Sequence, residues 1–273
     1  MTASVRRAYA DGPFGQIHYR IARPEKPSAR PALFCLHQTP KSGRDYAALM
    51  THLGRDRVVV APDTPGYGDS DPPPSPPSIE EYADAMLALI AALQDGGDVM
   101  PGAIDLMGYH TGGVIAARLA HRHPDRVRRI VFVSLAALDA KARESRLAHM
   151  HRFPVPREDS SNIAELWRLT ETLNDPRLPV EWRHTALAEC LRSGSRMPWG
   201  FRAVYEHDGI SDLEALSQPA LILCPRDDLW EVTRANAALL PRARLVAFDR
   251  AGNGFLDLDT AAVATLVTAF LDG

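Results

Sequence analysis

The sequence predicts an α/β fold, a mostly parallel twisted sheet with helices on both faces, and three observations carry that prediction. Apolar runs of strand length alternate with longer helical patterns along most of the chain, the signature of βαβ units. Several runs, PALFCLH (31–37) among them, are continuously apolar, as strands covered on both faces must be. The alternation breaks once, from about residue 138 to 213, where a helical, polar stretch predicts an insertion into the sheet rather than a second sheet.

Each element follows from its local pattern. GQIHYRIA (15–22) alternates like a strand near an edge, and PALFCLH is a buried strand. YAALMTHL (46–53) reads as a helix and RVVVAP (57–62) as the next strand. After the loop DPPPSPPS, the stretch IEEYADAMLALIAALQ has helical periodicity, with Ser78 placed to cap it. AIDLMG (103–108) is a strand, GGVIAARLAHRHP (112–124) a helix and RRIVFVSL (128–135) a strand. Beyond the insertion come the strand PALILCP (219–225), a helix around VTRANAALLP, the strand ARLVAFD (243–249) and a final helix.

Bulk properties exclude several classes. A chain of 273 residues, 45% hydrophobic and 24% charged, can bury a large core without disulfide or metal support. A net charge of −3 gives no electrostatic footprint for nucleic acid. No apolar run is long enough to span a bilayer, and MTASVRRAYADGPFG lacks the apolar core of a signal peptide, so no membrane partner and a cytoplasmic location are expected. Cys35, Cys190 and Cys224 show no metal-ligand spacing, and Cys35 and Cys224 read as small core residues. Neither a cofactor nor a metal is expected.

Ligands of open α/β sheets bind at the carboxyl ends of strands, so the informative residues should follow each strand. HQTPKSG follows the strand at 31–37, DTPGYGDSD that at 57–62, and YHTGG that at 103–108. PRDDLW and RAGNGF follow the last two. This order and spacing resemble the α/β-hydrolase family over essentially the whole chain. His37-Gln38-Thr39-Pro40 is similar to the family's His-Gly-x-Pro loop, and residues 63–70 to its Asp-x-Pro-Gly-x-Gly-x-Ser stretch. Gly108-Tyr109-His110-Thr111-Gly112 is similar to the Gly-x-Ser-x-Gly nucleophile elbow. The resemblance implies a hydrolase core of residues 1–137 and 214–273, with residues 138–213 as a helical cap inserted in it.

Carried over residue by residue, the resemblance places the catalytic acid at Asp227, with Asp228 an eligible neighbour. It places the nucleophile at His110 and the family histidine at Asn253. The oxyanion-hole amides fall on Thr39 and Thr111, and Gln38, where the family prefers glycine, adds a side chain at the mouth of that hole. Two members of the Ser-His-Asp triad are absent, so serine hydrolysis through a Ser–His relay is excluded.

The residues themselves point to a different chemistry. An imidazole on the elbow reaches about where the family's catalytic ring would sit, and an asparagine at 253 clears that space. His110 is thus placed to meet Asp227 or Asn253 and to act as a general base beside two amides, with a nucleophilic role as the alternative. The helix dipole favours a neutral ring and a nearby carboxylate a charged one. The expected partner is a small carbonyl substrate, aromatic or apolar in part, as the cap aromatics indicate. The reaction is hydrolysis of an ester, lactone or C–C bond, or a lyase or isomerase step. The competing reading is a pseudoenzyme that keeps the pocket and binds a ligand without turnover. His121, His123, His149 and His151 read as surface or packing residues.

Overall fold

The computed structural model describes residues 2–273. Its sheet contains β1 (Val5–Gly12), β2 (Gly15–Ala22), β3 (Leu33–Leu36), β4 (Val59–Pro62), β5 (Ile104–His110), β6 (Val127–Leu135), β7 (Ala220–Pro225) and β8 (Ala243–Phe248). The spatial order is β1-β2-β4-β3-β5-β6-β7-β8. Strands β4 to β8 and β3 pair in parallel, while β1 and β2 form an antiparallel hairpin whose second strand joins β4. Helices α1 (Ala47–Leu53), α2 (Ile79–Asp95) and α3 (Thr111–Arg122) alternate with the first strands. Between β6 and β7 lie α4 (Ala140–Ala148), α5 (Ser161–Leu173), α6 (Val180–Ser193), α7 (Trp199–Glu206) and α8 (Gly209–Ala215). The chain ends with α9 (Trp230–Asn236), α10 (Phe255–Leu258) and α11 (Thr260–Asp272).

The strand β1 has no counterpart in the sequence reading. Its residues VRRAYADG place two arginines side by side, and its burial alternates only between exposed and half-buried. Such an edge strand is held by its ladder to β2, from Val5↔Ala22 to Gly12↔Gly15, rather than by an apolar face. Position 15–22 is consequently one strand in from the edge.

Alternation along the buried strands feeds two cores. Phe34, Leu36, Leu106, Ile130, Phe132 and Ile222 point to one face, where α2 and α3 cover them with Leu89, Ile90, Ile115 and Leu119. Leu33, Cys35, Met107, Val131, Val133 and Leu221 point to the other, against Leu49, Met50 and Leu53 of α1 and Val263, Val267 and Leu271 of α11. The helix α2 starts where expected: Ser78 accepts from the Glu81 N–H and Glu81 reaches back to the Ser78 N–H, a capping box. Cys35 and Cys224 are buried and free, and burial pushes the Cys224 thiol up to about 11, so neither is a reactive thiolate. No helix among the described residues is long and apolar enough to cross a membrane.

Candidate active site

The elbow is a backbone feature first. His110 ends β5 with φ 46 and ψ −112, outside the allowed regions for an ordinary L-residue. Holding such a residue costs roughly 1–3 kcal/mol, which the surrounding packing must overcome. The flanking glycines are what let the chain pass. A Cβ on Gly108 would lie 2.6 Å from the Cα of Gly113, and one on Gly112 would overlap the Leu36 carbonyl and stand 2.8 Å from that of His37. The turn aims the imidazole into the space above the carboxyl end of the sheet while keeping its side chain only 14% exposed.

There His110 meets Asp227. The ring Nε2 lies 2.9 Å from Asp227 Oδ2 and donates to it, since an ionised carboxylate can only accept. Ser134 Oγ donates to the same oxygen at 2.6 Å, and the Leu229 N–H donates to Oδ1 at 2.9 Å. Of the two neighbouring carboxylates it is thus Asp227 that meets the ring; Asp228 is exposed and lines the pocket without bonding it. Burial alone would lower the His110 pKa, but the Asp227 hydrogen bond and the charges of Asp227 and Asp228 outweigh it, and the net direction is up from 6.5. Burial would likewise raise the Asp227 carboxyl, yet His110, Ser134 and the Leu229 amide hold it below its ordinary value. The two carboxylates, rather than the N-terminus of α3, set the direction of the shift.

Asn253 does not bond His110. Its Oδ1 accepts from the Tyr109 hydroxyl at 2.8 Å and from Gln38 Nε2 at 3.3 Å, and its Nδ2 donates to no protein acceptor among the described residues. The loop after β3 that carries Gln38 and Thr39 is fixed from behind. His37 Nε2 accepts from the Thr64 N–H at 2.9 Å, so its proton sits on Nδ1 and goes to the Gln38 carbonyl at 2.8 Å. Burial lowers the His37 pKa, keeping that neutral tautomer. The Asp63 carboxylate, at the start of the 63–70 stretch, is held by the N–H groups of Gly43 and Asp69 and by the ring of His18, each at 2.8 Å. The Thr39 N–H donates to no protein acceptor among the described residues. Thr111 is the first residue of α3, where a helix leaves its amide without an internal partner.

These groups border a pocket of about 280 Å³. Gln38, Thr39, His110 and Asn253 supply its polar side, and Phe153, Leu166, Met197 and Phe201, from the segment between β6 and β7, supply an apolar one. Asp227 and Thr111 stand behind that lining. Of the aromatic residues of the insertion, Phe153 and Phe201 line the pocket, while Trp167 packs on His184, Trp182 donates to Asp257 and Trp199 borders a separate surface groove. Sequence reasoning missed Ser134, Tyr109 and Lys41. Ser134 stands at the carboxyl end of β6, where functional groups gather in such sheets, and that position was its available signal.

An elbow after the fifth strand, an acid after the seventh and an amide loop after the third together define an α/β-hydrolase site. A family model for the alpha/beta hydrolase fold matches residues 31–167, and the chain belongs to that family. Among curated relatives it is 28% identical over 244 residues to 2-hydroxymuconate semialdehyde hydrolase of Pseudomonas sp. (strain CF600), covering 83% of this chain and 81% of the relative. It is also 28% identical over 246 residues to pimeloyl-[acyl-carrier protein] methyl ester esterase of Nitrosomonas europaea, covering 82% and 88%. Among solved structures, the enol-lactonase from Burkholderia xenovorans LB400 superposes with a TM-score of 0.77 at 21% identity, over 97% of this chain and 100% of that one.

Proposed function

We propose that this chain hydrolyses a small carbonyl compound (an ester, a lactone or an activated C–C bond) through a histidine-activated water rather than a serine. The observation that carries the reading is the 2.9 Å bond from His110 Nε2 to Asp227. It commits one ring nitrogen to the carboxylate and leaves Nδ1 as the basic atom, the division of labour that the family's own histidine performs from another strand end. Water attacks the carbonyl carbon and gives its proton to Nδ1. The carbonyl oxygen takes the negative charge against the Thr39 and Thr111 amides, and on collapse the leaving group takes the proton back from the ring. The helical segment between β6 and β7 acts as the cap, its leucine and phenylalanine side chains holding the apolar part of the substrate. Asn253 Nδ2 and Gln38 hold a polar atom of it. The names of the two curated relatives, an ester hydrolase and a semialdehyde hydrolase, support hydrolysis over an isomerase step.

The test is turnover of a panel of p-nitrophenyl esters, lactones and thioesters, with His110→Ala purified in parallel as the control for host esterases. Turnover that vanishes in the variant supports the reading. Equal, negligible rates in both proteins would overturn it and leave a protein that binds a ligand in this pocket without converting it.

A further inference from the structure

Helix α5 carries an apolar stripe that starts beside the catalytic residues and ends inside the protein. Leu173, Thr170, Leu169 and Leu166 recur at helical spacing on one face, and all four line the catalytic pocket. The Thr170 hydroxyl donates back to the Trp167 carbonyl at 2.7 Å, so its proton is spent within the helix. One end of the stripe is fixed by the backbone. Asn174, which follows Leu173, pairs with Asn253, and the Asp175 N–H donates to the Asn253 carbonyl at 2.9 Å. The other end is closed, because Leu166 packs with Cys190 and Met197, all three buried, and with Phe153.

Towards the Asn253 end the leucines are open. Leu169 is 37% exposed and Leu173 49%, whereas Leu166 is 3% exposed. A leucine exposed alone is ordinary. Two exposed one turn apart, in line with a buried third and bordering a cavity, form a continuous apolar track. Phe153 and Phe201, their ring centroids 4.8 Å apart, and Met197 supply further apolar lining. A charged chain laid along this track would lose its hydration and meet no partner on the leucines.

We propose that the track measures an unbranched acyl chain of about eight carbons, its carbonyl at the Asn253 and His110 end and its methyl end at Leu166 and Met197. Two lengths agree on that figure. From Leu166 to Leu173 the helix rises about 10 Å, which an extended chain of about eight carbons covers with C–C bonds of about 1.5 Å. The pocket of about 280 Å³ holds about nine groups of water size, the chain and its carbonyl oxygen. The substrate class is then a medium-chain acyl ester or lactone. For the reaction this rests on the hydrolysis proposed for His110; for binding it stands on the track alone.

Binding measured without turnover separates the two readings. The experiment is calorimetric titration of the full chain with methyl n-alkyl ketones, which carry the carbonyl and the chain but no leaving group. Affinity is expected to rise about two- to fourfold per methylene from 2-pentanone to 2-nonanone, and to stop rising in 2-undecanone and 2-tridecanone. Leu169→Gln and Leu173→Gln, both at exposed positions, should each lower the ratio of 2-nonanone to 2-pentanone affinity by about three- to tenfold. Leu166→Ala opens the closed end and should move the limit to 2-undecanone. Equal affinity across the series, affinity still rising through 2-tridecanone, or no binding of 2-nonanone up to about 1 mM would overturn the proposal. So would an unchanged profile in both glutamine variants. If sedimentation shows self-association that those variants abolish while the ketone profile stays as it was, the leucines belong to a contact with a second copy of this chain, and the proposal fails. Ester turnover is scored apart: its absence beside the expected ketone profile would end the hydrolysis reading and leave the chain site standing.

Discussion

The position of one proton decides most of what His110 can do. With its pKa raised above 6.5 by the Asp227 bond against the pull of burial, the ring carries a proton over more of the neutral range than a free imidazole does. Base catalysis then rises with pH through that raised value, so the acid limb of kcat/KM should have its midpoint above 6.5. Asp227→Asn removes the charge that raises it and leaves the burial that lowers it. The limb should move to lower pH while the rate falls about 100- to 10,000-fold, measured as a full pH profile. Ser134→Ala deletes a neutral donor to the same oxygen and should cost less than about tenfold, with the limb nearly in place. A midpoint that stays put in Asp227→Asn would remove the carboxylate from the mechanism. Conversion is the complementary test. His110→Ser combined with Asn253→His restores the family's residue types around Asp227, and a stoichiometric burst of nitrophenol is expected from the double variant and not from His110→Ser alone.

At the scale of elements, legibility followed how local each cause is. The capping box of α2 could be read from Ser78 and Glu81 because a three-residue spacing specifies it, and Ser78→Ala should cost about 1 kcal/mol in urea unfolding with turnover unaffected. The elbow was legible for the same reason: Gly108 and Gly112 flank one position, and backbone contacts with Gly113 and Leu36 explain both. Gly112→Ala forces a methyl into the Leu36 carbonyl, and a loss of about 1–3 kcal/mol is expected by the same measurement. β1 escaped because an edge strand held by its ladder carries no apolar signature. The partner of the His110 ring was open between Asp227 and Asn253, since no local pattern relates residues from separate strand ends. Tyr109 and Gln38, which occupy the Asn253 oxygen instead, show how long-range contacts settle such choices. Lys41 was invisible for a similar reason, its burial being made by α6, far along the chain.

Across the whole molecule, the inserted helices are tied to the site rather than laid over it. The Asp175 N–H donates to the Asn253 carbonyl at 2.9 Å, and the Gly252 N–H returns to Asp175 Oδ2 at 2.8 Å, so the loop bearing Asn253 is clamped by the segment between α5 and α6. Tyr67 takes the Gly200 N–H at 2.7 Å, and Asp212 of α8 gathers Arg118 and His121 of α3 with His207. Asp175 is the fastening whose charge can be tested. Its two hydrogen bonds from the Arg177 guanidinium, with the Gly252 and Arg177 amides, overcome burial and hold the carboxyl well below its ordinary 3.8. A depressed carboxyl contributes stability that is present above its unfolded value and is lost as pH falls through the folded one. Asp175→Ala should therefore lower stability by about 1–3 kcal/mol at neutral pH and raise KM as the Asn253 loop loosens. The deficit against the parent protein should shrink once the pH drops below 3.8 toward the depressed value. Urea unfolding of both proteins at neutral and acid pH reads this directly. A deficit that stays constant with pH would mean that packing, and not the carboxylate, joins the inserted helices to the Asn253 loop.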